Sequence, residues 1–455
     1  MHAVLIYKSL NAIISTYYRR DTDMNILLFL IIIFAYIVFL GILNEKFFHL
    51  QSDIALIVSS LVLSLILALI SHFWPNAFLK TFIEGLGSFG FEEYLMDGVL
   101  CFMLFAGASK VNMGKFRQNI KPISLLALLT TLISSFLYGG LFYLIALIFK
   151  IPMDIWICIL LGCVVSPTDP IAATGILNKI GLSKNVCSVI ENESLFNDGT
   201  GVTLFIFVRS IIVHSGESNF LLLMFKEIFG AVAVALVVSW LLFRLMKLTR
   251  DPVKYIMISL LDVSLVYIIC EHLGFSGVIA SVVCGMYFSY SMHKIERSVV
   301  VIDPKNLYED FWEIIESILN AVLFVMIGML ILNISVSKYA LIIIPASIII
   351  LIFSRASGVF ISTVLTKNNI PGNYNMREFV TLMTWSALKG GLSLALALET
   401  SEYLSTEVYQ IFLNVAYVAI FFTVIVQGLT VKKVYLGLEK KKAARIVRER
   451  NKATE

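Results

Sequence analysis

Residues 166–177 read SPTDPIAATGIL, and residues 191–207 read ENESLFNDGTGVTLFIF. The first string lies in an apolar run, with WICILLGCVV before its prolines and IAATGIL after them. Pro167 and Pro170 remove backbone donors and disfavour helix at the residues ahead of them, so the helix should unwind and carry Asp169 to the depth of the break. The second string places Glu191, Glu193 and Asp198 at the head of an apolar run long enough to cross a bilayer. A carboxylate at that depth costs roughly 2.5 to 3.5 kcal/mol unless it faces protein or water, which makes intramembrane acids ion or proton sites by default. Asp169 and Asp198 therefore read as one cation site. The plainer alternative, a proline kink with a solvated loop aspartate, fits poorly with apolar sequence on both sides.

Outward from these strings the chain is apolar throughout. Its 455 residues are 59% hydrophobic and only 15% charged, with a mean hydropathy of +0.89, far from the roughly quarter-charged make-up of a soluble domain. The fold class is an all-α polytopic membrane protein. At about 20 apolar residues per helix, thirteen spans are predicted, near 25–43, 54–71, 94–109, 123–147, 154–177, 186–213, 222–246, 254–272, 274–290, 311–332, 339–366, 377–398 and 408–430. Long continuous runs, in place of ten-residue alternations, argue against a β-barrel. The transmembrane domain is expected over 24–431, with core helices at about 123–213 and 339–430. Residues 1–23 form an N-terminal extension or interfacial segment, and 432–455 a short basic tail.

Loop charge sets the expected orientation. The tail LEKKKAARIVRER is basic and so cytoplasmic. The connections holding Lys110, Lys115, Arg117 and Lys121, then Lys179 and Lys184, Lys247, Arg250 and Lys254, Lys294, Arg297 and Lys305, and Lys367 and Arg377 fall on the same side. The opposite loops are acidic or neutral, as with Glu92 and Glu93, HSGESN, and Glu399, Glu402 and Glu407. An odd number of spans puts the N-terminus outside, which Arg19 and Arg20 oppose. Either residues 1–23 lie in the interface or Met24 is the true start.

The net charge of +4 is an excess of loop Lys and Arg, and no phosphate-binding glycine loop accompanies it, so nucleic acid and ATP-driven pumping are not expected. Cys101, Cys158, Cys163, Cys187, Cys270 and Cys284 lack metal or redox spacing and read as small hydrophobes. No cofactor and no enzymatic activity are expected.

A second broken span is predicted at Trp385-Ser386-Ala387-Leu388-Lys389-Gly390-Gly391, a cation and two glycines inside 377–398. Broken helices at corresponding places in two halves point to a transporter binding site. Helices 4 to 6 then correspond to 11 to 13 as an inverted repeat. Lys389 is read as a charge that balances the acids or a half-helix C-terminus, against a snorkelling lysine. Ser194 and Asp198, four apart, share one helix face, with Asn197 about 100° round, so Ser194 and Asp198 are assigned to ligand binding. Glu193 drifts to another face and is paired with Arg355, the lone cation in IIILIFSRASGVF, because either charge alone in the interior is several kcal/mol unfavourable. Asp97, Asp262, Glu271, Glu313 and Glu316 are left to line a funnel or to pair with Lys226, Arg209 or Arg244.

SPTDPIAATGIL followed by ESLFNDGTGVTLF resembles the monovalent cation/proton antiporters of the NhaP and NHE type. LFAGASKVNM (104–113), FWEIIESILNAVLFVMIGM (311–329) and WSALKGGLSLALAL (385–398) agree with it, and the likeness covers roughly residues 25 to 430. The resemblance implies a thirteen-helix inverted-repeat fold, a dimerisation panel, and a mobile core with two crossed broken helices. It implies that Asp198 binds the ion and the proton with Asn197 beside it, that Asp169, Thr168 and Ser194 complete a Na⁺ site, and that Glu193 and Arg355 form a structural ion pair. Asn-Asp in place of Asp-Asp implies electroneutral exchange of one cation for one proton. Two departures stand out: Lys389 where many members have Arg, a point charge in place of a fork of donors, and Leu104-Phe105-Ala106-Gly107 where some members carry an acid.

The expected function is Na⁺ or Li⁺ for H⁺ antiport in a bacterial inner membrane, by a homodimer. A carboxylate that holds a cation stays charged and excludes the proton, so competition at one site is the coupling. The alternatives are K⁺/H⁺ exchange by the same machinery, a cation channel, and a transport-inactive sensor.

Overall fold

In the computed structural model, described for residues 26–73, 98–169, 173–175, 177, 180–213, 220–292, 304–333, 335–366 and 370–454, the regular elements are helices. They are α1 Ile26–Leu43, α2 Ser52–Phe73, α3 Leu100–Ser109, α4 Met113–Gln118, α5 Ile120–Ser124, α6 Thr131–Phe149, α7 Ile155–Val165, α8 Lys184–Val213 and α9 Phe220–Met246. The second half adds α10 Pro252–Leu273, α11 Gly277–Met292, α12 Pro304–Leu330, α13 Ala340–Leu365, α14 Met376–Trp385, α15 Gly391–Glu399, α16 Thr406–Phe421 and α17 Gly428–Thr454. π turns at Leu125–Thr130 and Phe422–Gln427 join α5 to α6 and α16 to α17. Helices are what a bilayer permits, since each backbone group must find its partner within its own segment.

Nine of the described helices are long and apolar enough to cross a membrane, and α3, α7 and α11 are shorter apolar helices. Each predicted span overlaps a described helix, and 377–398 is broken where the sequence predicts, into the half-helices α14 and α15 on either side of Ser386–Gly390. Likewise 154–177 stops at Val165 and is helical again at 173–175. The tenth span begins seven residues earlier than predicted, at Pro304, where a missing first-turn N–H costs nothing. The basic tail continues α16 as helix to Thr454. Residues 1–23, Glu92, Glu93, Lys179, 214–219, Lys294, Arg297 and Lys367, on which parts of the orientation argument rest, lie outside the described residues, as does the funnel candidate Asp97.

Local chemistry sets the helix ends. Asp154 caps α7 through the Ile157 N–H, and Asp251 caps α10 through Val253 with Pro252 at the first position. Gly274, at φ 68°, closes α10 by donating to the Cys270 and Glu271 carbonyls. Asn375 and Glu378 form a capping box at the start of α14.

Packing then holds the two broken segments together. α6 and α7 touch through small residues: a Cβ on Gly139 would lie 2.7 Å from the Ile159 nitrogen, so only glycine admits that approach. One apolar core runs through α6, α7, α8, α12, α13 and α15. A second joins α3 to α9–α12 around Phe105, Phe288 and Trp312, with Phe105 and Trp312 ring centres 4.5 Å apart.

Candidate cation site

The two breaks meet. The Asp169 N–H donates to the Leu388 carbonyl at 2.8 Å, an isolated antiparallel bridge between the unwound segment after α7 and the one between α14 and α15. The crossing is tight, because a Cβ on Gly390 would fall 2.9 Å from the Asp169 carboxylate. On the other side, a Cβ on Gly201 of α8 would lie 2.5 Å from the Pro167 ring, so this glycine lets the helix carrying Asp198 lie against the break.

Lys389 supplies what the broken α7 lacks. Its buried Nζ donates to the carbonyls of Ser166 at 2.8 Å and Pro167 at 2.9 Å, which places a cation at the negative end of the half-helix and satisfies groups that have lost their helical donors. Its backbone N–H donates to the Thr423 hydroxyl in the π turn, at 2.9 Å. Of the two roles read for this lysine, the geometry shows its contact with the half-helix end.

Behind the crossing runs a chain of buried polar groups. Arg355 donates through two guanidinium nitrogens to the two Glu193 oxygens, both at 2.9 Å, and the two side chains are 7% and 1% exposed. The paired geometry adds direction to charge. Asn197 Nδ2 donates to Glu193 at 2.9 Å and to the Thr168 hydroxyl at 2.6 Å, while its Oδ1 accepts the Thr168 N–H at 3.1 Å. Ser194, grouped with Asp198 by helix spacing, instead spends its hydroxyl on Thr168 at 2.9 Å. Asn197 and Ser194 thus grip the unwound segment from behind and do not line the cavity.

Asp198 and Asp169 face forward. Both line a cavity of about 1270 Å³, with Pro167 and Thr168 beside them. No hydrogen bond from a described residue reaches the Asp198 carboxylate. The cavity reaches the end of the bundle that carries Lys110, Lys115 and Lys184, past Asp53, Glu191, Glu313 and Glu316. Lys110 and Glu316 are paired across it at 2.5 Å. Among the charged groups on its wall the carboxylates Asp53, Asp169, Glu191, Asp198, Glu313 and Glu316 outnumber Lys110, Lys115 and Lys184, a balance that favours a cation over an anion.

Other charges resolve differently from their sequence reading. Glu313 and Glu316 do line the funnel. Asp262 accepts from the Cys284 thiol and Glu271 from the Gly277 N–H. Arg209 pairs with Glu399 and Glu402, and Arg244 stacks over Trp240. All six cysteines are buried, as small hydrophobes would be, yet the thiols of Cys187 and Cys284 also donate to Glu191 and Asp262. Sequence reading passed over Asp53, Thr423 and the Lys110 to Glu316 pair. Only the polar start of α2, Gln51-Ser52-Asp53, carried a signal.

A family model for the transmembrane part of sodium/hydrogen exchangers matches residues 78–436. The chain belongs to the sodium/hydrogen exchanger family. Within it, the Na⁺/H⁺ antiporter NhaP of Pseudomonas aeruginosa is 32% identical over 423 residues, covering 88% of this chain and 96% of that one. The Na⁺/H⁺ antiporter NhaH of Halobacillus aidingensis is 31% identical over 326 residues, covering 70% of this chain and 77% of that one. The solved sodium proton antiporter MjNhaP1 of Methanocaldococcus jannaschii has the same fold, with a TM-score of 0.70 at 18% identity over 90% of this chain and 99% of its own. This exchanger is a multi-pass membrane protein, and its named relatives are transporters and not enzymes.

Proposed function

We propose that this exchanger moves Na⁺ or Li⁺ against H⁺, one for one, by competition of cation and proton at Asp198. The observation that carries the reading is a membrane-depth carboxylate on a cavity wall, without a protein donor among the described residues, beside a second acid at the crossing of two unwound segments. Cation and proton exclude one another there because a bound cation holds the carboxylate in its charged form. Asp169 and the Thr168 carbonyl complete the oxygen set, and Ser194 and Asn197 keep Thr168 in place. Lys389 fixes the crossing, and Glu193 with Arg355 ties α8 to α13. The protein works as a homodimer in the bacterial inner membrane with its C-terminus in the cytoplasm, so the cavity opens inward, and it needs no cofactor. These last assignments rest on loop charge and on the resemblance to antiporters.

Everted vesicles test it. With an imposed acid interior and the potential clamped, Na⁺ and Li⁺ should release protons from vesicles holding the wild type and not from those holding Asp198→Asn. Release by K⁺ alone would reassign the ion, and current without proton movement would make the protein a channel.

A further inference from the structure

Resting on that reading of the cavity, we propose that Asn320 of α12 is an uncharged oxygen ligand of the transported cation, assisted by Ser393 of α15, and that it sets discrimination among monovalent cations. Neither residue belongs to the motif that carries the acids.

Three observations converge on Asn320. First, α12 presents a polar stripe to the cavity. Glu313, Glu316, Ser317, Asn320 and Leu323 all line it, at the three- and four-residue spacing of one helix face. The stripe runs from two carboxylates through a hydroxyl to an amide, then ends in an apolar side chain. Second, its inner end lies against the crossing. A Cβ on Gly391 would collide with the Leu323 side chain, and the neighbouring Gly390 abuts Asp169. Asn320 is one turn from Leu323, about 4.5 Å along the axis, so it is the last polar group of α12 before the unwound segments. Third, Asn320 is only 2% exposed and its Oδ1 has no hydrogen-bond partner among the described residues; the Ser393 hydroxyl, 1% exposed on the same cavity, is in the same condition.

A buried amide oxygen without a donor costs free energy unless water or an ion satisfies it. A cation that sheds water needs replacement oxygens, and neutral dipoles supply them without adding charge. Asp198 and Asp169 provide the negative charge, and the number and placement of neutral oxygens then separate ions of different radius. Asn320 on α12 and Ser393 on α15 stand on walls that the acids of α8 and the α7 break do not provide.

The test uses the full-length protein, purified and in proteoliposomes. Wild type, Asn320→Ala, Asn320→Asp and Ser393→Ala are compared for apparent KM and maximal rate with Na⁺, Li⁺ and K⁺ as a function of pH. The rise in melting temperature produced by each cation alone gives a second readout, independent of transport. Asn320→Ala should raise the Na⁺ KM roughly tenfold, the effect of losing one oxygen from a charged partner, and lose a matching part of the thermal shift. Its maximal rate should change much less, and its ratio of K⁺ to Na⁺ KM should fall toward one. Asn320→Asp should recover Na⁺ affinity with a displaced pH profile, and Ser393→Ala should show the Asn320→Ala pattern more weakly. Wild-type KM values and thermal shifts in Asn320→Ala would overturn the inference, as would an equal loss of rate with every cation at unchanged KM ratios, which marks a packing role. A wild type that exchanges no cation would instead overturn the reading of the function. Should Asn320→Ala fail to fold, Asn320→Ser, which keeps an oxygen at shorter reach, and Asn320→Asp are judged by the same KM ratios.

Discussion

Asp198 and Glu193 are five residues apart on α8 and are in opposite chemical situations. Glu193 receives three hydrogen bonds, two from Arg355 and one from Asn197, whereas Asp198 lines open space. Asp198→Asn keeps the volume and removes the charge, so exchange should vanish while the amount of folded protein stays the same; full exchange in that variant would take Asp198 out of the mechanism. Arg355→Ala should act on stability. It strands a buried carboxylate, a change that costs about 3–5 kcal/mol, and should lower both yield and melting temperature. Adding Glu193→Gln should restore part of the loss, because the stranded charge is then gone. Equal melting temperatures for the single and double variants would mean that the pair contributes little.

At the scale of elements, the broken helices persist because several of the interrupted backbone groups among the described residues have found partners elsewhere. The Ser166 and Pro167 carbonyls take Lys389, the Lys389 N–H takes Thr423, and the Thr168 N–H takes Asn197. Lys389→Ala leaves two buried carbonyls without a donor, at about 1–3 kcal/mol each. Its melting temperature should drop together with its transport, and Lys389→Arg should recover more stability than transport, since a planar fork fills the position differently. Gly201→Ala should slow exchange with little loss of helix content, because the added methyl meets the Pro167 ring and pushes the unwound segment away from α8. Circular dichroism and vesicle assays on the same preparation check this, and unchanged exchange would show that the segment can move aside freely.

Over the whole molecule, the tail helix α17 reaches back to the entrance of a half-helix. Arg445 donates to the Asn373 carbonyl and to Glu378, the capping residue of α14, and Tyr374 donates to Glu439 at 2.5 Å. Burial, and then the Glu439 carboxylate, push the Tyr374 phenol above its usual value. A group whose folded-state pKa is raised keeps its full contribution below the unfolded value, about pH 10 for tyrosine, and loses it only as pH rises through the folded value. The tie is therefore constant across physiological pH. Tyr374→Phe combined with Arg445→Ala should lower the melting temperature by a similar amount at pH 6 and pH 8 and leave the pH profile of exchange in place; a shifted profile would make the tail a regulator.

The membrane class, the helical fold, the two breaks and the acids at depth were legible in the chain because each is a local property: hydropathy over about twenty residues, prolines and glycines inside an apolar run, a charge where lipid forbids one. Spacing on α8 separated Glu193 from Asp198 but gave no sign of the contact between Ser194 and Thr168, since Thr168 lies on another segment. Apart from the Glu193 and Arg355 pair, read from two interior charges that each needed a partner, contacts between distant parts of the chain were not legible. Lys389 meets carbonyls more than 220 residues away, and Lys110 meets Glu316 across 206. The orphaned oxygen of Asn320 is visible only once α12 lies against the crossing. The sequence alone determined which groups must find partners in lipid, because desolvation is paid wherever the chain goes. Only the tertiary structure decided which carbonyls Lys389 reached and which neutral oxygens joined the acids on the cavity wall, because that depends on how the broken helices cross.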